Sequence, residues 1–206
     1  MDTRWLNQKE RAAWVRLVAI LELLPGAIDA QLRAESDLTH FDYFALAMLS
    51  EAPDRLLRMT ELAQRTNATL PRLSHVVKRL EGRGFVERFP CAEDRRATNV
   101  RLSQAGWRVV VGAAPGHVAA VRRLVLDPLT PEQVDQLCAI GDSLMTTLDP
   151  AGRLTRLYAP ASVDSQGAAV GRQSAQDLSH AQPDQHAGGH RGHRDDARHD
   201  CAVGDP

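Results

Sequence analysis

Cysteine is scarce and scattered in this chain of 206 residues. Cys91, Cys138 and Cys201 form an odd, widely spaced set. They suggest no disulfide framework and no paired metal spacing, so a reducing cytoplasm is the expected location. Lysine is nearly missing as well. Lys9 and Lys78 are the only two, and every other cation is arginine, whose planar guanidinium is the better bidentate ligand for phosphate and base edges. The N-terminal stretch MDTRWLNQKERAAW carries charge where a secretory leader needs an apolar region, so no leader is expected. No apolar run approaches the roughly 20 residues of a membrane span, and no membrane partner is expected. Glycine-rich phosphate loops, nucleophile elbows and paired carboxylates are also lacking. Ser74 and His75 are adjacent on one helix and point in different directions, which excludes a nucleophile–base pair. Neither an enzyme nor a cofactor or metal site is expected.

What is present is local. The whole chain has a net charge of −1, which says little. From Arg55 to Arg108, twelve Arg/Lys face five Asp/Glu, a net of +7. Residues 1–54 stand at −4, residues 109–160 at −1 and residues 161–206 at −3. A basic module on a mildly acidic scaffold suits a polyanion bound through one face.

Periodicity divides the chain into helices and two short strands. A first helix is expected from about Leu6 to Leu32, kinked or interrupted at Pro25-Gly26. A second covers about Phe41 to Ser50 with Thr39 as N-cap, and Glu51 to Asp54 end it. A short third helix spans about Thr60 to Arg65, and Asn67 marks a tight turn. Thr69 caps a fourth helix, about Leu70 to Arg83, with Pro71 in its first turn and Gly84 as C-cap signal. Phe85 to Phe89 and Asn99 to Leu102 read as strands around a polar loop. Ser103 opens a helix to about Leu126, which Gly112, Pro115 and Gly116 should bend. Thr130 and Gln133 form a capping box for a last helix striped by Val134, Leu137, Ile140, Leu144 and Leu148. Beyond about Pro160 the composition turns to Gly, Ala, Gln, Asp and His, which cannot offset the entropy of ordering; this His-rich tail, 161–206, is expected to be disordered.

The fourth helix carries the chemistry. Leu73, Val76, Val77 and Leu80 share one stripe and should face the core. Pro71, Arg72, Ser74, His75 and Lys78 then project outward, with Thr69 at the N-terminus. A helix held on one face and polar on the other is what the major groove of a duplex accepts. Arg72 fits guanine, Ser74 and His75 can donate or accept, and Lys78 suits a phosphate. Any amphipathic surface helix has a polar face, so the loop decides. Asp94, Arg95 and Arg96 sit at its tip. The acid is expected to fix the Arg96 guanidinium, leaving Arg95 to enter a minor groove. The result is a mainly α fold with a small β-wing: a winged helix-turn-helix module over about 55–108.

These residues resemble the multiple-antibiotic-resistance regulator (MarR) family, especially its members from high-GC actinobacteria. The matching pieces are Glu61-Leu62-Ala63, Arg72-Leu73-Ser74-His75, Arg79-Leu80-Glu81, Gly84-Phe85-Val86, Asp94-Arg95-Arg96, and Leu102-Ser103 with Gly106. The resemblance spans about residues 5–149 and leaves the tail without a counterpart. It implies one domain over 1–160, with dimerisation helices at about 5–34 and 104–149. It also implies a homodimer on an inverted-repeat operator in double-stranded DNA, acting as a repressor released by a small aromatic or phenolic effector. The family's ligand pocket would be lined here by Trp14, Leu17, Phe41, Phe44, His117 and Arg122, although the simpler reading makes Trp14 and Phe44 core and Arg122 an exposed helix residue.

Three alternatives stay open. Oxidation of Cys91, with Arg88 and Arg95 near it, can make a redox switch of the wing. His180, His186, His190, His193 and His199 can bind a transition metal. A winged helix can also serve protein–protein contact without DNA, which would call for an apolar recognition face and a neutral wing.

Overall fold

The computed structural model describes residues 3–91, 94, 96–152 and 154. The expectations for Arg95 and for the tail lie outside the described residues.

Among the described residues, six α-helices and three short strands follow one another, with a 3₁₀ turn and a π-helical turn between them. Helix α1 (Gln8–Ser36) starts at Asn7, whose side chain accepts the Glu10 N–H while Glu10 accepts the Asn7 N–H. It runs through Pro25 without the expected interruption. Pro25 removes only the N–H that would reach the Leu21 carbonyl, and both residues are exposed on this chain, where water can satisfy that acceptor. Asp37, at φ 51°, ends the helix in the left-handed region.

Helix α2 (His40–Ser50) opens with a reciprocal cap between Thr39 and Asp42. A 3₁₀ turn (Pro53–Arg55) leads to strand β1 (Leu56–Arg58), which the sequence reading missed. Three residues are too few to display alternation; pairing with β3 is what makes them a strand. Helices α3 (Met59–Arg65) and α4 (Leu70–Gly82) follow, then strands β2 (Val86–Pro90) and β3 (Thr98–Leu102). The sheet is antiparallel in the order β1-β3-β2, with Leu57 opposite Val100 and Arg88 opposite Val100 on the other side.

Helix α5 (Gln104–Val121) passes Gly112, Pro115 and Gly116 without a break. Its departure from α geometry comes later, in a π-helical turn (Arg122–Leu126). There the Asp127 N–H reaches the Arg122 carbonyl at 2.8 Å, and the Arg122 guanidinium donates to the Asp127 carboxylate at 2.9 Å. The side-chain bond reinforces the wider turn. Gly116 serves closeness rather than bending: a Cβ there would lie 2.0 Å from Oε2 of Glu35 on α1. One sequence expectation about membranes needs correcting. Gln104–Leu126, 23 residues, is long and apolar enough by composition to cross a bilayer. Arg108 and His117 interrupt its apolar run while valine and alanine keep the average high. In this fold it packs along α1 and α2.

The core is built from Ile28, Leu32 and Leu38, then Leu46 and Leu49 of α2, the inner face of α4, and Val86, Val100 and Leu102 of the sheet. It stops short of two elements. On α1 only Ile28 and Leu32 are buried, and α6 (Pro131–Leu148) buries no residue at all. The N-terminal half of α1 and the stripe on α6 are therefore apolar and uncovered in the single chain, with Ile20 and Ile140 each at 56% exposure.

Candidate nucleic-acid interface

The helix-turn-helix is held by local chemistry. Thr66 is buried and its hydroxyl donates to the Leu62 carbonyl at 2.7 Å, finishing α3. Asn67 turns the chain at φ 48°, as its tolerance of left-handed angles suggests. The Ala68 N–H returns to the Ala63 carbonyl at 2.9 Å. Thr69 caps α4, accepting the Arg72 N–H, and Pro71 sits in the first turn, where no N–H is needed. At the far end the Phe85 N–H reaches the Leu80 carbonyl and the Gly84 N–H the Glu81 carbonyl, both at 2.9 Å. Gly84 at φ 73° permits this Schellman closure.

Between these caps α4 divides as its sequence indicates. Leu73, Val76, Val77 and Leu80 are buried. Thr69, Pro71, Arg72, Ser74, His75 and Lys78 are exposed. The helix thus offers a hydroxyl, an imidazole, a guanidinium and an ammonium from a rigid mount.

The +7 of this stretch is not all available. Arg65 pairs with Glu61 at 2.7 Å, Arg88 with Glu81 at 2.5 Å, Arg79 with Asp42 at 2.5 Å and Arg83 with Asp37 at 3.0 Å. The Arg88 guanidinium, bonded to Glu81, holds that carboxyl below the usual carboxylate range. Asp37 and Asp42 lie before residue 55, so counting charge inside the stretch could not reveal these partners. Arg72, expected to be free for guanine, rests with its guanidinium carbon 4.5 Å from the centre of the Phe41 ring.

The wing is closed by backbone bonds. The Cys91 N–H reaches the Ala97 carbonyl and the Ala97 N–H the Asp94 carbonyl, both at 2.9 Å. Asp94 Oδ1 accepts the backbone N–H of Arg96 at 3.0 Å. The acid therefore fixes the turn's backbone, where the sequence reading had it fixing the Arg96 guanidinium. An Asx turn forms because a short carboxylate reaches the N–H two residues on with little strain. Arg96 stays exposed. Cys91 is buried at the base of the wing, and among the described residues Arg58 sets Nη2 3.7 Å from its Sγ. Arg88, expected to play that part, is held by Glu81.

The six proposed pocket residues do not share one lining. Trp14 is 55% exposed, and Leu17 is exposed beside it on α1, so neither is core in the single chain. Phe41 and Phe44 pack half-buried against the core. Arg122 is exposed and bonded to Asp127. His117 lies against Tyr43, ring centres 4.6 Å apart, with a buried Nδ1 that has no hydrogen-bond partner. Among the described residues, clefts lie elsewhere. One of about 610 Å³ is apolar and lies between α1 and α6, including Ile20, Leu23, Leu124 and Leu137. Another, about 710 Å³, lies between the helix-turn-helix and the end of α6, including Gln64, Asn67, Thr69 and Leu148.

His40 and His117 give this corner a pH dependence. Burial depresses both imidazoles below their ordinary value; His40 adds to the effect at His117, while Asp29 opposes it at His40. Folded values below the unfolded one mean that unfolding takes up protons. The stability is complete above about pH 6.5 and is lost as pH falls from there towards the folded values. The melting temperature should decline between about pH 7 and about pH 5.5, and less steeply in His117→Gln. A flat profile would show that the two rings are already as well solvated as in the unfolded chain.

Known proteins match both sequence and fold. The MarR family model matches residues 38–98. Sco3205, a MarR family transcriptional regulator from Streptomyces coelicolor solved in complex with DNA, is 41% identical; the match covers 72% of this chain and 93% of that one, with a TM-score of 0.69. AbsC, a MarR family regulator from the same organism, is 34% identical over 75% of this chain and 99% of its own, with a TM-score of 0.64. The HTH-type transcriptional repressor YetL of Bacillus subtilis is 31% identical over 98 residues, 47% of this chain and 58% of YetL. These relatives are regulators rather than enzymes. With its capped recognition helix and paired wing strands, the chain belongs to the MarR family of DNA-binding transcriptional regulators.

Proposed function

We propose that the protein is a homodimeric repressor of an inverted-repeat operator, released by a small effector. The observation that carries the reading is the division of α4 into a buried apolar face and an exposed polar one, mounted beside an exposed wing arginine. The uncovered stripes on α1 and α6 supply the second half. A second copy would cover them, and a two-fold axis would then set two α4 helices about one helical turn of DNA apart. Repression is supported by the likeness to YetL, a repressor. A bacterial regulator of this kind works in the cytoplasm, where the chromosome lies.

In this reading Thr69, Pro71, Arg72, Ser74, His75 and Lys78 face the major groove, and Asp94, Arg95 and Arg96 form the wing. Genome-wide footprinting of the purified protein would supply the operator. Arg96→Ala should then weaken operator binding by roughly 1–3 kcal/mol with the fold intact. Lys78→Ala should reduce affinity across sequences and flatten the salt slope by about one unit. Unchanged affinity in the first removes the wing from recognition; an unchanged slope in the second removes Lys78 from the phosphates.

A further inference from the structure

Three contacts tie the recognition helix to the corner between α1 and α2, two from α4 and one from its C-cap Arg83, all along one stripe. Arg72, Arg79 and Arg83 lie seven and four residues apart, which stacks them along one side of a helix with 3.6 residues per turn. Arg83 reaches the end of α1, where Nη1 donates to the Asp37 carbonyl at 2.7 Å and Nη2 to its carboxylate at 3.0 Å. Arg79 Nη2 donates to Asp42 Oδ1. Arg72 rests on Phe41.

Asp42 differs from Asp37. It is only 2% exposed. Its Oδ2 accepts the Thr39 N–H at 3.0 Å, so the same carboxylate that starts α2 also anchors α4. Asp37, by contrast, is 94% exposed on its side chain, where water and salt screen the pair. A buried carboxylate is costly unless its charge is met and its lone pairs are bonded; Arg79 and Thr39 do both.

Holding α4 in place does not require this pair, because four apolar side chains already seat the helix. Apolar burial is non-directional, however, and leaves rotation and tilt about the seam weakly specified. A charge-assisted hydrogen bond is directional. We infer that Asp42 is a positioning residue for DNA recognition: through Arg79 it sets the rotation of α4 that aims Ser74, His75 and Lys78 at the groove. Arg79, although a surface cation on a recognition helix, is then an internal strut and makes no phosphate contact. The inference rests on the assignment of the polar face of α4 to DNA.

The test uses full-length Asp42→Asn, Arg79→Gln, the double variant and Arg79→Lys. Each is titrated against the footprinted operator duplex and an unrelated duplex over a salt series. Specific affinity should fall about tenfold in either single variant. Binding to the unrelated duplex and the salt slope should not change. The double variant should be no worse than the singles, since both remove one bond, and Arg79→Lys should recover part of the loss. A slope flattened by about one unit in Arg79→Gln would show a phosphate contact and overturn the inference. So would specific and unspecific binding falling together in step with the melting temperature. Lys78→Ala in the same series reports on the polar face itself: a loss there with none in Asp42→Asn or Arg79→Gln overturns the positioning role and leaves DNA binding by α4 standing.

Discussion

Ile140→Glu should convert the protein to a monomer and all but abolish operator binding. Ile140 lies mid-way along α6 on a stripe with Leu137 and Leu144, and none of these is buried by the chain's own fold. An apolar face of this kind is uncommon on a protein that works alone. If two copies close over it, the symmetry places the new carboxylate in the interface twice. Each must lose water without a cation to meet it. The single chain loses nothing, because Ile140 is already 56% exposed in it. Circular dichroism should therefore be unchanged while sedimentation reports half the mass. Operator affinity should drop by about a hundredfold or more, since two half-sites held at once bind far more tightly than one. A variant that stays dimeric and binds as the parent does would move the interface away from α6.

Gly106→Ala should cost about 3 kcal/mol of stability, roughly 10 °C in melting temperature for a domain of this size. Gly106 sits in the first turn of α5, where three elements meet. Its N–H donates to Ser103 Oγ at 3.0 Å, and that hydroxyl donates to the Gly84 carbonyl at 2.6 Å. The Ser103 N–H donates to the Phe85 carbonyl at 3.0 Å. A methyl group at residue 106 would lie 2.1 Å from that same carbonyl oxygen and 2.7 Å from Leu102 Cδ1. The oxygen belongs to backbone already pinned by the closure at the end of α4, so it cannot swing aside as a side chain could. Relief must come from moving α5 against the wing, and DNA binding should fall with stability. Gly112→Ala is the control: nothing lies within 4 Å of its added Cβ, and alanine is the better helix former by about 1 kcal/mol. Equal melting temperatures for the Gly106→Ala variant and the parent would mean that the junction has slack which its contacts do not reveal.

Local signals carried most of the fold. The division of α4 follows from 3.6-residue spacing, the caps at Thr39, Thr69, Ser103 and Thr130 follow from side chains that reach nearby N–H groups, and β2 and β3 bracket a polar tip. What escaped depends on partners distant in sequence. Strand β1 exists because β3 pairs with it. Pro25 suggests a broken helix until the exposure of its missing bond is known. The same holds for the site: the polar face of α4 was legible, but the partners of Arg79 and Arg83 lie 37 and 46 residues away in the chain. The Arg96 guanidinium is the stronger donor on paper, and only the turn geometry selects the Arg96 N–H for Asp94.

The internal pairing of arginines bears on how such a regulator can diverge. Four cations of the module are committed to carboxylates of the same chain, two inside the module and two outside it, so they hold shape and add little general attraction to a polyphosphate. Ser74 and His75, which make none of these ion pairs, can then be exchanged without altering the frame around them. New operator preferences become reachable by one or two substitutions, with neither solubility nor architecture at stake.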